Sequence, residues 1–166
     1  MATSNPIEPE PVEDNLGRVR TGIDYSSKIQ PLMSVCKKEN GNDELKWPQG
    51  VTVDDKTGDI YMADCFNDCV KVFDSTARIG KYGNGELEFK YPKAIAINES
   101  NDDIYICDYF NKRVQILSQD FQFKSQFGSL KRPLDVKLSK EYIYVLDESN
   151  PCIHLFNHNY ILLNSV

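Results

Sequence analysis

The sequence predicts an all-β protein of about three four-stranded antiparallel sheets. Three observations carry that prediction. One pattern of apolar runs recurs three times between residues 46 and 166. A proline opens each copy, at Pro48, Pro92 and Pro133. An Asp ends the second run of each copy (Asp64, Asp108, Asp147), with Asn three residues later (Asn67, Asn111, Asn150). Self-similarity at a fixed period of this size is the signature of a repeat architecture.

Each element follows from its residues. The first run is Trp47 to Val53, Tyr91 to Ile97 or Arg132 to Leu138. Its proline lacks a ladder N–H and so belongs at a strand start. The second run, Ile60–Asp64, Ile104–Asp108 or Ile143–Asp147, is apolar at nearly every position, as expected of a strand covered on both faces. Asp and Asn then mark a turn, because both side chains bond nearby backbone and Asn tolerates left-handed geometry. The third run starts six residues after the Asp and sets Lys71, Gln115 or His154 between apolar neighbours, which suggests one wetter face. A fourth, outer strand is expected at Ile79–Tyr82 and at Phe121–Phe127, and Tyr160–Val166 looks like a fourth strand cut short.

The proline-to-proline steps are 44 and 41 residues, and proline to Asp is 16, 16 and 14. The third copy loses its two residues where Asp54–Asp59 shrinks to Ser139–Tyr142, between the first two strands. A turn absorbs such a deletion, whereas a strand would lose its register. Four strands every ~40–50 residues describe the blades of a β-propeller.

The pattern Pro-x-Gly-Val-x-Val-Asp, Gly-x-Ile-Tyr-x-x-Asp, Asn-x-x-Val-x-Val, best seen from Pro48 to Phe73, resembles the NHL repeat. The repeats fall at about 46–89, 90–130 and 131–166. As a whole the chain is similar to the C-terminal region of tripartite-motif NHL proteins. The resemblance implies half of a six-bladed ring, and a propeller that recognises protein or RNA. Two positions depart from the pattern. The first-strand glycine reads Gly50, Ala94 and Asp135, and the Arg often found two residues after the turn Asn reads Cys69, Arg113 and Cys152.

Outside the repeats, residues 1–21 hold Pro6, Pro9 and Pro11 among acids and are expected to be a disordered tail. Residues 22–45 echo the stretch before the second repeat and are expected to hold an orphan outer strand and a linker. No apolar run is long enough to span a membrane, and Met1–Pro11 has no secretory core. Five cysteines, an odd number at irregular spacing, predict free thiols in a reducing cytoplasm. Cys65 and Cys69 have no second pair at ligand spacing, so no zinc site, other metal or cofactor is expected.

For function, the sequence predicts a non-catalytic protein-interaction scaffold. No phosphate loop, Cys-nucleophile motif or recognisable Ser/His/Asp context is present. Asp64, Asp108 and Asp147 occur once per copy at a fixed turn position, which assigns them to structure rather than to a carboxylate centre. The loops after them differ most and carry the candidate partner-binding residues: Phe66, Asp68, Tyr109, Phe110, Lys112, Arg113 and Glu148. Their aromatics can serve an interface or pack on a neighbouring sheet. The resemblance implies a recognition part of a ubiquitin-ligase-like protein, without the zinc-binding RING that gives relatives their activity. Single-stranded RNA is the alternative ligand, through Tyr109, Phe110, Lys112 and Arg113. Charge disfavours it, with 14 basic against 17 acidic residues in 46–166. Three blades leave two broad apolar faces open, so self-association or a missing half-propeller is expected.

Overall fold

The computed structural model describes residues 44–73, 77–149 and 151–166, with the backbone of two short strands before them. Those two, β1 (Val12–Glu13) and β2 (Val19–Arg20), pair antiparallel. The chain divides into two compact units, Met1–Val35 and Cys36–Val166, and all three repeats belong to the second. The rest of the expected acidic tail, and the orphan strand expected within 22–45, lie outside the described residues. Among the described residues no helix is long and apolar enough to cross a membrane.

Three four-stranded antiparallel sheets succeed one another along the chain. The first blade is β3 (Pro48–Val53), β4 (Ile60–Asp64), β5 (Cys69–Phe73) and β6 (Arg78–Ile79). Next come β7 (Lys81–Tyr82) and β8 (Glu88–Phe89), which pair parallel in the connector. The second blade is β9 (Pro92–Ile97), β10 (Ile104–Asp108), β11 (Arg113–Leu117) and β12 (Phe123–Phe127). The third is β13 (Pro133–Leu138), β14 (Tyr142–Asp147), β15 (Cys152–Asn157) and β16 (Leu162–Ser165). All three prolines are the first residue of an opening strand, where a missing N–H costs no ladder bond.

The expected outer strand over Ile79–Tyr82 is corrected. It breaks at Gly80, whose φ of 87° suits glycine, and only its start joins the first blade. Lys81–Tyr82 turns away to pair with β8. The last strand, expected to be cut short, is a four-residue strand that pairs with β15.

Period-two alternation sends each face of a strand to a different neighbour. In β10, Ile104 and Ile106 join the core shared with the first blade, while Tyr105 and Cys107 join the core shared with the third. β10 and β11 are therefore buried throughout. At Gly50 the first two blades touch backbone to backbone: an added Cβ would lie 2.6 Å from the Lys93 carbonyl oxygen. The turns between third and fourth strands reach backward. Phe121 packs on Tyr61, and Tyr160 stacks on Phe127 at 5.4 Å.

Candidate functional site

The loops that leave β4, β10 and β14 lie beside the segments that lead into β3, β9 and β13, and the repeated Asp ties the two together. Asp64 Oδ1 accepts the Lys46 N–H at 2.7 Å, and Asp108 Oδ1 accepts the Lys90 N–H at 2.7 Å. Asp147 takes the Lys131 N–H at 2.6 Å and the Arg132 N–H at 3.0 Å. In return the incoming carbonyls accept loop amides, from Phe66 to Lys46 (3.0 Å), Phe110 to Lys90 (3.1 Å) and Glu148 to Arg132 (3.0 Å).

A side-chain donor completes the first two carboxylates. Asn67 and Asn111 Nδ2 donate at 2.7 and 2.8 Å; Asn150 lies outside the described residues. These bonds correct the expected turn chemistry. The Asp carboxylates mostly hold backbone 15 to 18 residues away rather than their own turn. The left-handed residues are Asp68 (φ 49°) and Lys112 (φ 59°), and the Asn side chain instead holds the carboxylate.

Each Asp also faces a cationic or ring nitrogen: Lys71 Nζ at 3.3 Å from Asp64, Arg113 Nε at 2.9 Å from Asp108, and His154 Nε2 at 3.7 Å from Asp147. Burial pushes the Asp108 carboxyl above its ordinary range despite the Lys90, Asn111 and Arg113 donors. Burial also pushes Asp147 upward, but the Lys131, Arg132 and Ser149 amides and His154 outweigh it and bring that carboxyl below the ordinary range.

With the loops fixed, aromatic rings meet along one side of the blades. Trp47 meets Phe66 at 5.7 Å, Phe66 meets Tyr91 at 5.2 Å, and Tyr91 meets Tyr109 and Phe110 at 6.1 and 5.5 Å. Trp47, Phe66 and Phe110 are each more than half exposed. Lys93 Nζ sits over the Tyr91 and Tyr109 rings, and the Arg132 guanidinium over Tyr109 at 6.0 Å. A shallow cleft of about 370 Å³ opens between Phe66, Tyr82, Tyr91 and Phe110. Trp47 and Tyr91 hold φ of 58° and 60°, a conformation that costs a bulky residue about 1–3 kcal/mol.

The candidate residues therefore separate. Phe66, Phe110, Lys112 and Glu148 are exposed on the loops. Arg113 is corrected: it begins β11, is buried, and gives its remaining N–H groups to Gln126 Oε1 and the Gly85 and Glu88 carbonyls. Tyr109 is nearly buried, its hydroxyl bonded to Glu148, so it joins the second and third blades. Asp68 is committed to the Tyr91 N–H at 2.8 Å. Sequence reasoning misses Trp47, Tyr91, Tyr82, Lys93 and Arg132. The available signal is the recurrence of Lys-aromatic-Pro at 46–48 and 90–92.

Burial holds two of the thiols inert. Burial raises the Cys65 thiol to about 12 and the Cys107 thiol well above its ordinary value. The described residues contain no group of three His, Cys, Asp or Glu side chains that could hold a metal ion. The fold does bring Ser165 Oγ to 2.8 Å from His154 Nδ1, near Asp147. Asp147 stands too far from the ring to orient it by a hydrogen bond, and its oxygens already serve backbone amides.

A sequence model of the NHL repeat matches residues 89–117, the end of the connector through β11. Hydrazine synthase from Kuenenia stuttgartiensis superposes with a TM-score of 0.60 at 15% identity, over 80% of this chain and 39% of that one. Virginiamycin B lyase from Staphylococcus aureus gives 0.59 at 10% identity, over 73% and 41%. A nidogen/laminin complex gives 0.57 at 18%, over 71% and 46%. The chain is a partial β-propeller. It carries an NHL repeat and spans less than half of each of these similar chains. Identities this low speak for the fold alone. No curated protein sequence matches it.

Proposed function

We propose that this propeller segment is a non-catalytic scaffold that binds a protein partner through the aromatic row from Trp47 to Phe110. The observation that carries the proposal is the combination of exposure and fixation. Three rings stand more than half in water, on loops that buried carboxylates lock to the blades. Aromatic anchors on a rigid support lose little entropy on binding and dominate interface energies. A nidogen/laminin complex among the similar structures is consistent with such a use. The resemblance to tripartite-motif NHL proteins extends the proposal to recognition of a ubiquitin-ligase substrate, with the RING supplied elsewhere.

The test is a Phe66→Ala/Phe110→Ala chain compared with wild type in affinity capture from a cell lysate. The expected result is loss of a defined set of proteins, with the melting temperature nearly unchanged. An unchanged set of captured proteins counts against the proposal. Capture that disappears on ribonuclease treatment would transfer the surface to RNA.

A further inference from the structure

The aromatic row is ridged, and cations line it. Trp47 meets Phe66 at 82° and Phe66 meets Tyr91 at 86°, so neighbouring rings stand edge to face. Centroid steps of 5.7, 5.2 and 5.5 Å carry the row from Trp47 through Phe66 and Tyr91 to Phe110. Furrows lie between such ridges, and the cleft beside Phe66, Tyr82, Tyr91 and Phe110 is one of them.

Lys90 Nζ lies 5.4 Å from the Tyr82 ring centre, and Lys93 Nζ lies 5.0 and 5.3 Å from those of Tyr91 and Tyr109. Among the described residues these two ammonium groups rest on rings rather than on carboxylates. Lys46 precedes Trp47 in the chain and Lys112 follows shortly after Phe110, and both are exposed. The neighbouring carboxylates are already committed. Asp68 accepts the Tyr91 N–H at 2.8 Å, while Glu148 bonds the Tyr109 hydroxyl and faces Arg132. In a chain of net charge −6, this side therefore offers positive charge around apolar rings.

We infer that the occupant of the row is an extended, proline-rich and acidic segment of the partner protein, in the polyproline II conformation. The inference rests on the protein-binding reading above and deepens it. An added strand finds no free amides on the ring-bearing loops, since the Phe66 and Phe110 N–H groups are spent on the Lys46 and Lys90 carbonyls. A polyproline II segment needs none: it has no internal hydrogen bonds, and its pyrrolidine rings seat in aromatic-lined grooves. Its carbonyls can accept from the Trp47 indole N–H and the Tyr82 hydroxyl, on the two most exposed rings of this side. With three residues per turn, an acid at every third position sets all the carboxylates on one edge, for the lysines, and leaves proline for the rings. At about 9 Å per turn, the row is at most about two turns long. Single-stranded RNA fits less well, because its bases stack on open aromatic faces. Here neighbouring rings stand nearly perpendicular, and cations already lie over Tyr82, Tyr91 and Tyr109.

Trp47 is the single tryptophan of the chain, so its fluorescence reports on the row itself. The experiment titrates the full chain with a synthetic peptide of four Pro-Pro-Glu triplets, with calorimetry as a second readout. A saturable change in Trp47 emission is expected. Lys90→Glu/Lys93→Glu, shown to be folded by circular dichroism, should weaken binding at least about fivefold, as should about 0.5 M salt with the wild type. Phe66→Ala/Phe110→Ala should abolish it. No saturation up to about 1 mM peptide overturns the inference. So does equal binding of Gly-Gly-Glu triplets, which keep the charge without the conformation, or of Pro-Pro-Lys triplets, which keep the conformation with the opposite charge. A response to oligouridine and not to the peptide gives the row to RNA and overturns it as well. Loss of captured proteins by Phe66→Ala/Phe110→Ala in the lysate experiment, with no peptide binding here, leaves the protein-binding reading standing and overturns only this chemistry of the partner.

Discussion

Tyr105 and Tyr144 hold the same place in successive sheets, yet the first is sealed between two blades and the second has one side in water. The middle blade is packed on both faces, and β10 and β11 are buried at every position. Among the described residues the outer blades are packed on one face only, and their alternation shows it: β14 reads half-buried, buried, exposed, buried, exposed, buried. Local strand chemistry is nearly identical in the three copies. The number of neighbours differs, and this sets how much each apolar side chain contributes.

The largest expected effect separates the two tyrosines. Tyr105→Ala should cost about 3–5 kcal/mol in urea denaturation, as for other large buried rings. It also removes the hydroxyl that bonds Tyr160 and Asn98. Tyr144→Ala should cost about 1 kcal/mol or less in the monomer. Equal costs would mean that Tyr144 is covered in solution.

The clamps provide the next comparison. Asp108→Asn leaves the Arg113 guanidinium buried without its carboxylate and should cost about 3 kcal/mol or more. Asp147→Asn should cost less, since His154 stands further off. Their pH dependences have opposite signs. The folded Asp147 carboxyl is lowered, so its contribution is present above the unfolded value of about 4 and is lost as pH falls through the folded value. The folded Asp108 carboxyl is raised, so its contribution is present in acid and is lost as pH rises through the folded value. Stability measured from pH 7 down into acid should therefore fall less for Asp147→Asn than for wild type, and more for Asp108→Asn.

The smallest effect on stability belongs to the aromatic row. Phe66→Ala and Phe110→Ala should each lower stability by about 1 kcal/mol or less, because both rings are more than half exposed. A drop of several kcal/mol in thermal or urea unfolding would assign these rings to the fold.

Much of the fold is legible in the residues. The prolines, the Asp positions and the two-sided apolar runs place three sheets in order, and the two-residue deletion falls in the β13–β14 turn as expected. The site is only half legible. Asp64, Asp108 and Asp147 read as structural, but bonds to backbone so far along the chain leave no local mark. Arg113 reads as a loop cation until β11 is known to begin with it. Trp47 and Tyr91 look like strand residues. A left-handed backbone at each, imposed by the clamp behind it, turns them into the row.

Two covered faces make the middle blade the rigid support for the aromatic loops, and on this the functional proposal depends. Residue-resolved hydrogen exchange on this chain tests it most directly. The amides of β10 and β11 should exchange slowest, through global unfolding, while β3, β14 and β16 exchange through easier local opening. Uniform protection across the three sheets would contradict the account.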